Sequence, residues 1–227
     1  MDLAFLLFPG VTQLDLTGPA QVLSRLPGAR VHLVWHSLDP VPTDAGFSIL
    51  PNATFADLPS PDLLCVPGGM GIADVIDDDA ALQWVRSAGA EAQWVTSVCT
   101  GALILGAAGL LQGYRATTHW AWQDRLALFG ATPVKARSVM DRNRATGGGV
   151  TAGIDFALAL VAEIAGEDAA RTIQLALEYD PAPPFSAGSP EGAGPETVAA
   201  YAARANRLAP DRMERLENAA RRLGFIA

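Results

Sequence analysis

Apolar positions along the chain gather into short β-branched runs, and these alternate with Ala/Leu-rich stretches whose apolar residues recur at helical spacing. That alternation predicts βαβ units around a mostly parallel sheet. Leu3–Phe8, Val31–His36, Leu63–Val66 and Trp94–Val98 read as strands. Arg115–Thr118 and Pro133–Arg144 read as further strand material, with Asp141-Arg142-Asn143 as a tight turn. Thr43–Phe55, punctuated by Asp44, Gly46, Pro51 and Asn52, reads as a hairpin or edge excursion. The first helix is expected to begin near Thr17, as N-cap, with Pro19 in its first turn. Others are expected from Asp77–Asp79 to about Ala90, over Gly101–Leu110, over Thr151–Ile164 and over Glu167–Glu178.

The stretch Pro181–Pro195 holds eight Pro or Gly residues in fifteen, so it reads as an irregular arm. Glu196–Leu223 follows as two amphipathic helices split near Pro210. The organisation expected is therefore one α/β domain (1–180), the arm (181–195) and a helical appendage (196–227) packed on the domain or on a partner subunit. Arg204, Arg207, Arg212, Arg215, Arg221 and Arg222 are read as a solvated face of that appendage.

Half of the 227 residues are apolar, enough for a core and inconsistent with general disorder. Sixteen basic against 24 acidic side chains leave a net charge of −8, which argues against nucleic acid as a partner. The apolar runs Leu3–Phe8 and Leu103–Leu111 are too short to span a membrane, and no basic region opens the chain as in an export signal. Two cysteines, Cys65 and Cys99, suggest thiols in a cytoplasmic protein rather than a disulfide framework. Three histidines without ligand spacing argue against a dedicated metal site.

Chemistry concentrates at Thr96-Ser97-Val98-Cys99-Thr100-Gly101-Ala102, where a strand turns into a helix with a thiol at the corner. In open α/β sheets the ligand crevice lies beyond the carboxyl ends of the strands, so Cys99 is the candidate nucleophile. The following helix N-terminus is expected to lower its pKa. Cys65, in mid-strand, is assigned to the core. Asp15, in the loop expected after the first strand, is the candidate proton carrier, its pKa raised by an apolar crevice and a neighbouring thiolate. The turns Pro67-Gly68-Gly69-Met70-Gly71 and Gly147-Gly148-Gly149-Val150 are candidate sources of fixed N–H donors. Neither matches a phosphate loop or a dinucleotide fingerprint. His119, between a strand and Trp120, reads as a packed, hydrogen-bonded side chain rather than a base.

Taken together, Leu7-Phe8-Pro9, Gln13-Leu14-Asp15-Leu16-Thr17-Gly18-Pro19, Val66-Pro67-Gly68-Gly69, Ser97-Val98-Cys99-Thr100-Gly101, Arg115-Ala116-Thr117-Thr118-His119-Trp120 and Thr146-Gly147-Gly148-Gly149 resemble the DJ-1/PfpI superfamily, and within it the bacterial isocyanide hydratases. The resemblance continues through Gln174–Tyr179 and Pro181–Phe185. It implies a flavodoxin-like three-layer sandwich, a homodimer, and no cofactor or metal. It matches Cys99 to the family nucleophile, Asp15 to the hydratase acid/base, and Thr100 to a position where peptidase-like members carry histidine. Val150 falls where the hydratases carry a somewhat larger β-branched residue near the cysteine. Regulators that share such an N-terminal domain add a DNA-binding module of about a hundred residues. Only 32 residues follow Pro195 here, so that module is not expected.

The activity the resemblance implies is hydration of a small isocyanide through a covalent Cys99 thioimidate. Asp15 would move protons, and Thr100 with the Gly68-Gly69 or Gly148-Gly149 amides would steady water and charge. The alternatives are a quiet or redox-sensing protein with an oxidisable Cys99, or a glyoxalase- or peptidase-like hydrolase, which Thr100 disfavours.

Overall fold

In chain order the computed structural model, which describes residues 1–226, begins with β1 (Asp2–Leu6), α1 (Gln13–Leu23), β2 (Arg30–Trp35), β3 (Val41–Pro42), β4 (Ser48–Ile49), β5 (Ala53–Thr54) and β6 (Leu63–Val66). It continues through α2 (Ile72–Asp77), α3 (Asp79–Glu91), β7 (Trp94–Val98), α4 (Gly101–Ala107) and β8 (Arg115–Ala116). A 3-10 stretch (Trp120–Phe129) leads to β9 (Thr132–Pro133), β10 (Ser138–Asp141) and β11 (Arg144–Gly147). The chain then runs through α5 (Ala152–Ala165), α6 (Glu167–Ala176), α7 (Pro190–Leu208) and α8 (Arg212–Arg222).

The central sheet has the order β10-β11-β7-β6-β1-β2-β5. Every pairing in it is parallel except β10 with β11. All four residues of β6 are buried, as are Val95–Val98 of β7 and Leu3–Leu6 of β1. Parallel strands covered on both faces need continuous apolar runs, and these are the runs the sequence shows. Helices α1, α5 and α6 pack together on one side; α2, α3, α4 and α8 pack together on the other. The hairpin expected within Thr43–Phe55 begins earlier, with β3 at Val41, and β4 and the edge strand β5 follow inside that range; Arg142, at φ 55°, makes the predicted β10–β11 turn.

Three expectations need correction. Helix α1 starts at Gln13, not near Thr17, so Asp15 lies in its first turn and Pro19 inside it. Thr17 spends its hydroxyl on Gln13 Oε1 (2.9 Å), one turn back. Burial of Leu16, Gly18, Pro19, Val22 and Leu23 holds the whole segment helical, tertiary packing overriding the local cap signal. The irregular arm is shorter than predicted and ends at Ser189, whose Oγ accepts the Gly192 N–H (3.2 Å) ahead of Pro190. Gly194, at φ 77°, kinks α7 before Pro195 restarts it.

The third correction concerns the arginines of the appendage. Arg204 and Arg207 are exposed, but Arg212, Leu216, Ala219 and Ala220 form a buried stripe at helical spacing. Arg215 pairs with Asp74 (2.8 Å) and Asp77 (2.7 Å), and Arg222 with Asp77 (3.0 Å) and Asp79 (3.4 Å). Exposed pairs of this kind contribute at most about 1 kcal/mol each. Burial of Leu216, 0 % exposed, therefore does more to dock α8 on the helices beneath it.

Candidate active site

The carboxyl ends of β1, β6, β7 and β11 converge, and the sequence-selected residues lie there. Cys99 follows β7 directly and takes φ 56°, a left-handed conformation that few non-glycine residues adopt. Its N–H donates to the carbonyls of Gly148 (2.7 Å) and Gly147 (3.1 Å), and its carbonyl accepts the Thr118 hydroxyl (2.7 Å). The corner is thus held by two neighbouring segments. Gly101 makes so tight a turn possible, since a Cβ there would strike the Val66 carbonyl.

Asp15 is 0 % exposed. Its Oδ2 accepts the Gly68 N–H (3.0 Å), and its carboxyl and the Cys99 thiol act on each other's protonation. Oδ1 is buried without a hydrogen-bond partner. Burial raises the Asp15 pKa to about 7, against the pull of the Gly68 N–H and the thiol, with the charge of Asp44 adding to the rise. This is the shift expected from the sequence.

The expectation for Cys99 is reversed. Burial, then the negative charge of Asp15, pushes the thiol well above its ordinary value, and the N–H and hydroxyl of Thr100 only partly offset this. The seven-residue α4 is too short for its terminus to outweigh near-complete burial. With the proton on Asp15 the second of these causes is removed, and burial alone then opposes an anionic sulfur. Cys65 behaves as assigned: it is 0 % exposed, and burial raises its pKa to about 12.

Three of the glycine amides that the sequence suggested as free donors are already engaged. The Gly68 N–H is engaged by Asp15, the Gly69 N–H by Thr100 Oγ1 (3.1 Å), and the Gly148 N–H by the Arg137 carbonyl (2.9 Å). Gly149 opens α5 by accepting the Ala152 N–H (2.7 Å). These loops position side chains instead. Gly68 must lack a side chain, because a Cβ would come within 2.6 Å of Thr100 N and Oγ1 and 2.9 Å of Asp15 Oδ2.

Beside this corner lies a cleft of about 540 Å³, whose lining includes Thr118, Trp120, Gly148, Gly149 and Val150. Thr118 and Gly148 thus join the cleft wall to the Cys99 backbone, and Cys99 itself is 7 % exposed. His119 is packed, as expected: its Nδ1 accepts the Ala121 N–H (3.3 Å), and its burial lowers its pKa. Its ring stacks on Tyr201 of α7, 5.7 Å between centroids. Tyr201 and Arg212 were both missed from the sequence: Tyr201 packs on His119, and the Arg212 Nη2 donates to the Met70 carbonyl (3.1 Å) in the turn after β6. The appendage therefore reaches the site. The buried stripe at positions 212, 216, 219 and 220 was the signal that could have found Arg212.

The sequence profile of the DJ-1/PfpI family matches residues 1–163. The chain belongs to the DJ-1/PfpI family. It is 53% identical over 225 residues to a Pseudomonas putida protein named isonitrile hydratase, an alignment covering 99% of each chain. A crystal structure of a ThiJ/PfpI family protein from Pseudomonas syringae matches with a TM-score of 0.88 at 45% identity, over 96% of this chain and 90% of that one. DJ-1 from Schizosaccharomyces pombe matches with a TM-score of 0.68 at 18% identity, over 78% of this chain and 98% of that one, a likeness of fold. The DJ-1/PfpI fold expected from the sequence is thereby established. Among the described residues no helix is long and apolar enough to cross a membrane.

Proposed function

We propose that the protein hydrates isocyanides, R–N≡C, to N-substituted formamides, with Cys99 as nucleophile and Asp15 as proton carrier. The observation that carries this reading is the buried Asp15 carboxyl, its pKa raised to about 7, whose charge acts on the thiol at the β7–α4 corner. The likeness over nearly its full length to the P. putida isonitrile hydratase supplies the substrate class.

In the working form one proton is shared between Cys99 and Asp15. With that proton on Asp15, the anionic sulfur attacks the terminal isocyanide carbon, and the carbon takes the Asp15 proton. The product is a thioimidate, Cys–S–CH=N–R, beside an ionised Asp15. The carboxylate then draws a proton from water as the hydroxyl adds to carbon, and passes that proton to nitrogen. Collapse breaks the C–S bond. The hydroxyl proton returns to Asp15, R–NH–CHO leaves, and the anionic sulfur is restored. The Thr100 N–H and hydroxyl, which pull the thiol pKa down, steady the sulfur charge at the start and end of the cycle. Trp120 and Val150 give the adjoining cleft an apolar wall for the R group.

This is hydro-lyase chemistry without net redox change. The same reading includes a cytoplasmic homodimer, and α7, none of whose residues is buried, offers a face for a second copy. The test is formamide production from cyclohexyl isocyanide, wild type beside Cys99→Ala. Loss of turnover by at least about a thousandfold in a folded variant is expected; undiminished turnover rejects the reading.

A further inference from the structure

Two cavities meet where the arm runs into α7. The cleft beside Cys99 shares Trp120, Gly188, Ser189 and Pro190 with a second cavity of about 130 Å³. Ala193, Val198 and Tyr201 of α7 extend the apolar wall of the smaller one. Among the described residues its lining holds no charged side chain. The cleft differs, for Lys135, Arg137 and Glu191 lie along it. Lys135 pairs with Glu191, and Arg137 with Asp155 (2.6 Å). The charged wall is therefore satisfied within the chain. The aromatic wall is not, since Trp120 and Tyr201 remain 37 % and 39 % exposed.

The ring centroids of Trp120 and Tyr201 lie 5.0 Å apart, and the His119 ring packs beside both, at 5.5 and 5.7 Å. The Lys135–Glu191 pair ties the start of α7 to the domain, so both walls of the small cavity are set before a ligand arrives. Its volume selects the occupant: an apolar cavity of about 150 Å³ accepts benzene. Gly188 marks the way in from the cleft. A Cβ there would meet no atom within 4 Å, and its φ lies outside the left-handed region. The shared edge is thus bare backbone beside open space.

We propose that the small cavity is a substrate subsite, which takes a benzene-sized apolar group at the far end of R. The substrate class is then an isocyanide whose ring is joined to the N≡C group by a flexible spacer, passing the Gly188 edge. Apart from Trp120, the subsite is built by residues 187–201, beyond residue 163 where the family match ends. The arm and α7 therefore set substrate choice on a shared domain. The inference rests on the proposed isocyanide hydration and names the substrates of that same site.

The test is kcat/KM for benzyl, 2-phenylethyl, 3-phenylpropyl and 4-phenylbutyl isocyanide, followed as formamide. The best of the longer three is expected to exceed benzyl isocyanide about tenfold in the wild type, chiefly through KM, as for burial of one ring. Ala193→Leu fills the cavity, and Gly188→Leu blocks the shared edge without backbone strain. Each should bring that ratio to within about twofold of one. Val198→Phe repeats the filling if Ala193→Leu does not fold. A wild-type ratio near one overturns the proposal, as does a tenfold ratio that survives in either variant. Formamide from none of the four isocyanides, benzyl included, instead rejects the underlying reaction and the subsite with it.

Discussion

Replacing Asp15 with asparagine is expected to abolish turnover and yet make the protein more stable above neutral pH. Asp15 is 0 % exposed, and its pKa stands at about 7 against an ordinary 3.8. The unfolded chain releases this proton near the ordinary value. Between 3.8 and about 7 the native state therefore keeps a proton that the unfolded state has lost. The stability associated with neutral Asp15 is fully present below 3.8 and is lost as pH rises to about 7. About three pH units at about 1.4 kcal/mol each make this roughly 4 kcal/mol, carried as a penalty by the wild type at pH 8. Asparagine stays neutral throughout. Its oxygen can accept the Gly68 N–H, but its amide nitrogen takes the place of Oδ1, which has no partner. A buried unpaired donor costs about 1–3 kcal/mol. The variant should therefore be less stable than wild type by about 1–3 kcal/mol at pH 4 and more stable by a similar amount at pH 8. Urea unfolding from pH 4 to 8, followed by the fluorescence of the five tryptophans, reads the difference. A gap between the two proteins that does not change with pH refutes the reasoning.

Cys65→Ala should cost roughly 1 kcal/mol in urea unfolding and leave kcat/KM within about twofold; loss of turnover there would reverse the assignment of the two thiols. Gly68→Ala should cost about 1–3 kcal/mol from overpacking and depress kcat more than KM, because the new Cβ displaces Asp15 and Thr100 together; wild-type steady-state kinetics would show that the close packing at Gly68 does not matter. Below pH 7 both Asp15 and Cys99 are protonated, so kcat/KM should climb about tenfold per pH unit to a limb near 7 and then level off. A profile that falls through pH 7 would show that the doubly protonated pair is the working form.

Strands β6 and β7 were legible to the residue, because runs buried on both faces leave no polar position to blur their ends, and Pro67 and Cys99 mark where they stop. The start of α1 was not, since Thr12 and Thr17 are both cap-type residues and packing further along the helix decided between them. The place of Cys99 could be read from strand-to-helix punctuation. Its protonation could not, because it depends on burial and on Asp15 from α1, which no local pattern brings to the thiol. The partners of the glycine amides were hidden for the same reason: Gly68 reaches Asp15 across 53 residues and Gly69 reaches Thr100 across 31. Arg212 was legible in principle, one polar residue on an otherwise apolar stripe, but the count of arginines around it pointed to solvent.

Everything proposed for the reaction passes through one covalent bond, and that bond can be weighed. Wild-type protein is quenched in acid during turnover of cyclohexyl isocyanide and digested, and the cysteine peptides are measured by mass. The Cys99 peptide should carry the mass of one isocyanide, the Cys65 peptide none, and Cys99→Ala none at either position. Formamide formed at full rate while the Cys99 peptide stays unmodified throughout, or an adduct on Cys65 instead, contradicts the thioimidate route.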